Sequence, residues 1–147
     1  MANTLGFMIT WTTYGSWLQG EKKGYVKHGV TYKENIILKQ DCERKMKGKP
    51  VQLRQNEKEI VRQTILESAK RFNQEILAVS VYSDHVHIVC TYVDVPIHII
   101  AGYYKNACRV ALQKNGLAGR IWTAGYYKSF CFDEKSLQNR IKYVTGH

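Results

Sequence analysis

The stretch from Ile76 to Tyr92 restricts the fold more than any other part of the chain. Ile76 to Tyr82 is rich in β-branched residues and reads as a strand. Ser83-Asp84 then turns it into a second strand, His85 to Tyr92. Because side chains alternate across a strand, His85, His87, Val89 and Thr91 share one face. Val86, Ile88, Cys90 and Tyr92 take the other, which is the better candidate for a helix-covered core. Two histidines in so apolar a strand require a reason, since polar groups are rarely left without partners there.

The neighbouring segments supply layers for this unit. Leu5 to Thr12 alternates Leu5, Phe7, Ile9 and Trp11 against Gly6, Met8, Thr10 and Thr12, a further strand. Gly15 and Gly20 break it, and a basic irregular insertion is expected from about residue 19 to 56; the pattern leaves helical character around Ile36 to Lys47 open. Asn56 reads as an N-cap, with Glu57 and Glu59 in the first turn. Ile60, Val61, Thr64, Ile65, Ser68 and Phe72 then recur at helical spacing. Pro96 suits the first turn of a helix that runs to about Asn115 and ends at Gly116. Trp122 to Phe132 reads as a pair of short strands around Gly125. Asp133 caps a last helix through Leu137, Ile141 and Val144. The order predicts an α+β fold, a ferredoxin-like antiparallel sheet with helices on one face and a C-terminal helix, all in one domain over residues 1–147.

Composition narrows the function classes. Apolar residues make up 44% and charged residues 23% of 147, the balance of a folded domain rather than a disordered chain. No apolar run is long enough to cross a membrane, and the first residues lack the basic and small-residue pattern of a signal peptide. The four cysteines, Cys42, Cys90, Cys108 and Cys131, form no CxxC pair, so the expectation is a reduced, cytoplasmic protein without structural zinc. The formal charge of +10 favours a polyanionic partner. Its placement is sharper: Pro96 to Phe132 carries Lys105, Arg109, Lys114, Arg120 and Lys128 with no Asp or Glu, and Lys39 to Arg54 carries a net +4.

Two imidazoles two residues apart, about 7 Å along a strand, can converge on one divalent cation. Two histidines rarely complete a catalytic metal site, and the last helix offers both a third ligand and a reacting group. Tyr143 and His147 are four residues apart and so share a helical face beside the Leu137, Ile141 and Val144 stripe; Asn139 lies one turn earlier. A tyrosine beside a metal can attack a phosphodiester while the cation polarises a non-bridging oxygen.

His85-Val86-His87 on an inner strand, followed by a terminal helix carrying Tyr143, resembles the HUH endonuclease superfamily. Within it the likeness is to the single-tyrosine transposases of the smallest insertion sequences and their REP-associated relatives. Ile9 to Leu18 also resembles the start of a subgroup of that family. The resemblance implies a ferredoxin-like fold and metal-dependent nicking and strand transfer on single-stranded or hairpin DNA. It further implies a covalent 5′-phosphotyrosine intermediate and no energy cofactor. Carried over by position, His85 and His87 are ligands of Mg²⁺ or Mn²⁺ and Tyr143 is the nucleophile. Where family members often place Gln or Asn four residues after the tyrosine, this chain has His147, the expected third ligand. The family includes both dimers that exchange the tyrosine helix and monomers, so a homodimer is open.

Single-stranded DNA is commonly held by cationic grooves and flat rings on which bases stack. Lys105, Arg109, Arg120, Trp122 and Lys128 are the expected DNA contacts, with Tyr103, Tyr104, Tyr126 and Tyr127 interleaved, and Lys39–Arg54 as a clamp on a hairpin stem. Two other readings fit the same residues: a non-enzymatic single-stranded nucleic-acid binding module with a ferredoxin-like sheet, and a metal-dependent hydrolase in which water is the nucleophile. A replication-initiator nickase would share the histidines and tyrosine, but no helicase or origin-binding region is recognisable.

Overall fold

The computed structural model describes residues 3–15 and 50–146, and the backbone of two short strands at 25–27 and 30–32. Nine regular elements are described: β1 (Gly6–Thr12), β2 (Tyr25–Lys27), β3 (Val30–Tyr32), α1 (Gln55–Ala69), β4 (Ile76–Val81), β5 (His85–Thr91), α2 (Ile97–Lys114), β6 (Tyr127–Cys131) and α3 (Glu134–Thr145). A 3₁₀ turn, Lys70–Phe72, follows α1.

Four strands form one antiparallel sheet in the order β4-β5-β1-β6. β1 and β4 are parallel to each other with β5 between them, the split βαβ arrangement of a ferredoxin-like fold. α1 and α2 cover one face. Their contacts seal the larger core, in which Phe7, Ile9 and Trp11 of β1 and Val86, Ile88 and Cys90 of β5 meet Val61, Ile65, Ile100, Tyr104, Cys108 and Leu112. Val86, Ile88 and Cys90 are alternate positions that the β5 pattern assigns to the core; Tyr92, the fourth, lies past the end of the strand and is exposed. Tyr104 donates its hydroxyl to Gln74 Oε1 (2.5 Å), while Gln74 Nε2 donates to Thr91 O (2.7 Å), so the polar pair within this core is satisfied.

α3 crosses the opposite face of the sheet. Leu137 and Val144 pack with Ala78, Val89 and Cys131, and with the half-buried Met8, Leu77 and Ile141. Asp133 caps this helix, accepting from the Ser136 N–H (2.7 Å), which holds its carboxyl below the usual carboxylate range. Gly6 lets the helix approach. A Cβ there would lie 2.5 Å from the Cys90 carbonyl oxygen and 3.0 Å from Leu137 Cδ1.

Several boundaries differ from the sequence pattern. α1 begins at Gln55, with Arg54 rather than Asn56 as its cap residue; the Arg54 N–H donates to Glu57 Oε1 (2.8 Å). Phe72 lies in the 3₁₀ turn, where it still packs on the core. β2 and β3 pair antiparallel inside the stretch expected to be irregular. Of the two short strands expected around Gly125, the second forms as β6, and the first is reduced to a single bridge at Trp122. Trp122 bridges Thr13 and β6 pairs with Gly6 to Thr10, so both segments line the same edge of β1. Residues 36–47, Cys42, His28 and most of the Lys39–Arg54 segment lie outside the described residues; at its end Val51 and Leu53 are buried. Cys90, Cys108 and Cys131 are buried free thiols, with burial raising the pKa of each. Among the described residues no helix is long and apolar enough to cross a membrane.

Gly6→Ala should cost about 1–3 kcal/mol, because the sheet or Leu137 must shift to admit the methyl. A urea midpoint equal to that of the unaltered chain would contradict this account of the close approach.

Candidate active site

The register of β1 on β5 builds the site. Thr10 lies opposite His87 and Thr12 opposite His85, so both threonines share the histidine face. Thr10 Oγ1 lies 2.8 Å from His87 Nδ1, and Asp84 Oδ1 lies 2.6 Å from His85 Nδ1. With Nδ1 of each ring engaged by an oxygen, Nε2 is the nitrogen each ring would present to a cation. The two rings are 4.8 Å apart at an interplanar angle of 74°. His87 is buried and His85 partly so. Histidines that bind a metal are commonly held by an oxygen on their other ring nitrogen in the same way.

The turn ahead of β5 is braced from outside the sheet. Thr13 N–H donates to Asp84 O (2.9 Å) and Leu53 N–H to Ser83 O (2.7 Å), while Thr13 Oγ1 donates to Val51 O (2.7 Å). Asp84 is thereby fixed beside His85. Tyr82, on the other side of the turn, stacks on the His85 ring with centroids 4.5 Å apart and planes 18° from parallel. The sequence reading left Tyr82 as the end of a strand. Its position three residues before a histidine across a two-residue turn is the signal that could have found it.

Tyr143 reaches this face from α3. Its ring lies 5.6 Å from the His87 ring at 69°, and it remains 47% exposed, accessible to a large substrate. Ser80, opposite His87 on β4, donates its hydroxyl to Val144 O (2.6 Å). The bond satisfies a carbonyl of the last helical turn, which has no acceptor role inside the helix, and it acts one residue from Tyr143. His147 lies outside the described residues. Among those described, no group of three or more His, Cys, Asp or Glu side chains is placed to hold a metal ion.

Four of the five expected DNA contacts meet elsewhere. Lys105, Arg109, Arg120 and Trp122 line one open groove of about 380 Å³ between α2 and the segment before β6. Only the arginines offer their charge outward. Arg109 bonds Asn106 and Gln113 at the surface, and exposed Arg120 lies over the Tyr14 ring at 4.9 Å. Trp122 is buried, edge-on to Trp11 at 5.8 Å, and its indole N–H donates to Lys105 O (2.8 Å). It is a core ring in this conformation and offers no face to a base. Lys105 donates to the carbonyls of Thr123 (2.9 Å) and Gly125 (2.7 Å); burial, and then Arg120 nearby, lower its pKa. Lys128 stands apart on β6, over the Phe130 ring at 5.9 Å.

An antiparallel ferredoxin-like sheet, with a histidine pair on an inner strand and a tyrosine helix laid across it, defines the class of this protein. The family model described as "Transposase IS200 like" matches residues 35–147, and the chain belongs to that family of transposases. A REP-associated tyrosine transposase bound to a REP hairpin shares the fold, with a TM-score of 0.59 at 12% identity over 98% of this chain and 67% of the other. A candidate transposase from Deinococcus radiodurans has a TM-score of 0.51 at 13% identity over 99% of this chain and 92% of the other. No curated protein sequence matches the chain.

Ser80→Ala should loosen the last turn of α3 alone. Losing one hydrogen bond of about 0.5–1.5 kcal/mol should speed amide exchange there roughly 2- to 10-fold. Exchange unchanged at Val144 and Thr145, or raised equally across the sheet, would contradict the role given to Ser80.

Proposed function

We propose that this transposase nicks and rejoins single-stranded DNA at hairpin-bearing sites through a covalent phosphotyrosine on Tyr143. The observation that carries the reading is the contact between the Tyr143 and His87 rings, which joins a nucleophile to a candidate ligand pair across β5 and α3. A hairpin as substrate is suggested by the fold neighbour that carries a REP hairpin.

His85 and His87 are read as ligands of Mg²⁺ or Mn²⁺, with His147 as the third. Bound there, the cation would polarise a non-bridging oxygen of the scissile phosphate and offset the charge that gathers on it. The Asp84 carboxylate favours the His85 tautomer that leaves Nε2 open, and Thr10 orients the His87 ring. Tyr143 Oη attacks phosphorus and gives up its proton, and the P–O3′ bond breaks. The 3′ oxygen leaves and takes up a proton, while the 5′ phosphate stays on the tyrosine. Strand transfer is the same exchange run from a different 3′-OH: that oxygen attacks the phosphotyrosine and the phenol is restored. One phosphodiester is exchanged for one phosphotyrosine ester at each stage, so no energy cofactor is required.

The tyrosine is read as acting on the histidines of its own chain, since α3 packs on the sheet that carries them; a homodimer is not required for the site. Arg109, Arg120 and Lys128 are the proposed phosphate contacts. A nucleic-acid binding module without chemistry would account for the charge. It would leave the Asp84 and Thr10 contacts to the histidines, and Tyr143 against them, without a purpose.

Incubation with a labelled single-stranded hairpin DNA and Mn²⁺ should yield a protein–DNA adduct stable on a denaturing gel. Tyr143→Phe should abolish the adduct and keep hairpin binding, and His87→Ala or EDTA should remove cleavage. Cleavage without an adduct would point to water as nucleophile, and an adduct surviving in Tyr143→Phe would place the nucleophile elsewhere.

A further inference from the structure

The edge of the sheet beside the histidines carries a notch that the chemistry above does not use. From Thr10, opposite Tyr127, β1 advances to Thr13, opposite Trp122; the edge chain between the same two partners is two residues longer. The surplus bulges outward over residues 123–126, turning at Gly125 with φ of 86°. It leaves a cavity of about 220 Å³ lined by Trp11, Thr12 and residues 123–127. That is below the roughly 300–1,000 Å³ of drug-sized ligand sites, and in the range of one flat heterocycle.

Three features aim this notch at the histidine face. Thr12, on its rim, is the cross-strand partner of His85. Tyr127 is the cross-strand partner of Thr10, which in turn faces His87, so Ser80, His87, Thr10 and Tyr127 form one row across the sheet. The alternation of β6 agrees with this assignment. Cys131 packs on the α3 side with Val89, whereas Phe130 packs edge-on against Phe7 on the other side. Among the described residues Tyr127 is the most exposed large aromatic side chain, at 65%.

The notch is also preformed. Lys105 Nζ, reaching from α2, donates to the carbonyls on both sides of the bulge, Thr123 and Gly125. Thr123 Oγ1 donates to Thr13 O (2.8 Å), and the Thr123 N–H donates to Thr12 O (2.9 Å). Four hydrogen bonds, and Tyr126 packed against the core, hold the short bulge in place.

We infer that this notch takes one unpaired nucleobase of the DNA strand next to the cleaved phosphate, with the Tyr127 ring as its stacking face. The inference rests on reading the histidine face as the place where a phosphate is cut. Tyr127 lies two strands from His87, roughly 10 Å at ordinary strand spacing, a distance that one nucleotide covers between its phosphate and the far edge of its base. A single-stranded substrate leaves that base free to turn out of line. Stacking tolerates any base, so the notch selects for an unpaired nucleotide at one position rather than for a sequence. Lys105 acts as a positioning residue for the bulge, which is why its charge is turned inward.

The test compares two probes on the full chain: a blunt DNA hairpin, and the same hairpin with an unpaired oligothymidine flank. Tyr127→Ala should weaken binding of the flanked hairpin roughly 5- to 100-fold, the worth of one stacked base, and leave the blunt hairpin unaffected. Tyr127→Phe, which keeps the ring, should bind both as the unaltered chain does. Moving 2-aminopurine along the flank should find one quenched position, with the quenching lost in Tyr127→Ala. Equal affinities of the unaltered and Tyr127→Ala chains for the flanked hairpin, or an equal loss on both probes, would overturn the inference. Adduct formation, measured in the same samples, separates this from the nuclease reading. A flank-specific loss without any adduct from the unaltered chain would overturn the nuclease reading and keep the notch. An adduct with no flank-specific loss would overturn the notch alone.

Discussion

The pairing of β1 with β5 is the constraint on which the rest of the molecule depends. Its register sets Thr10 against His87 and Thr12 against His85, and it sends Trp11, Val86, Ile9 and Ile88 to the opposite face. Because side chains alternate with a period of two, a slip of one residue would bury both histidines under α1 and α2 and turn the core of β5 toward solvent. Large apolar side chains on one face therefore protect the position of two polar ones on the other. The site inherits its precision from packing that takes no part in chemistry.

α3 depends on the same sheet from the other side. Only part of the histidine face is apolar: Val89, Met8, Ala78 and Cys131 receive Leu137 and Val144, while His85, His87 and Thr10 lie beyond them. The helix is thus docked by its apolar stripe and extends its last turn over the polar end. Gly6 permits the close approach at the start of this contact, and the Ser80 hydroxyl ties down its end. Tyr143 is brought to His87 by two anchors, one steric and one polar, at opposite ends of a twelve-residue helix.

Much of this was legible in the sequence, and the reasons divide cleanly. The alternation in β5, the turn at Ser83-Asp84 and the Asp133 cap are local signals, and each corresponds to the element it predicted. Tyr143 could be placed by resemblance together with the Leu137, Ile141 and Val144 stripe. What sequence reasoning missed is set by partners far along the chain. Trp122 looked like a ring for DNA until its indole met Trp11 and the Lys105 carbonyl, and Lys105 looked like a phosphate ligand until it met two carbonyls of the bulge. The bulge itself depends on Thr13 pairing with Trp122 across more than a hundred residues, and no periodicity announces it. Arg54 replaced Asn56 as cap residue because Glu57 reaches back to the Arg54 N–H.

The central claim is that the β5 histidines and the α3 tyrosine form one DNA-cutting site, and the chemical fate of Tyr143 tests it most directly. After reaction with hairpin DNA and Mn²⁺, nuclease trimming and proteolysis, tandem mass spectrometry should find a nucleotide phosphate on the peptide carrying Tyr143, and on Tyr143 within it. The same modification on another tyrosine, such as Tyr82 beside His85, would show that the histidines work with a different nucleophile and would contradict the account.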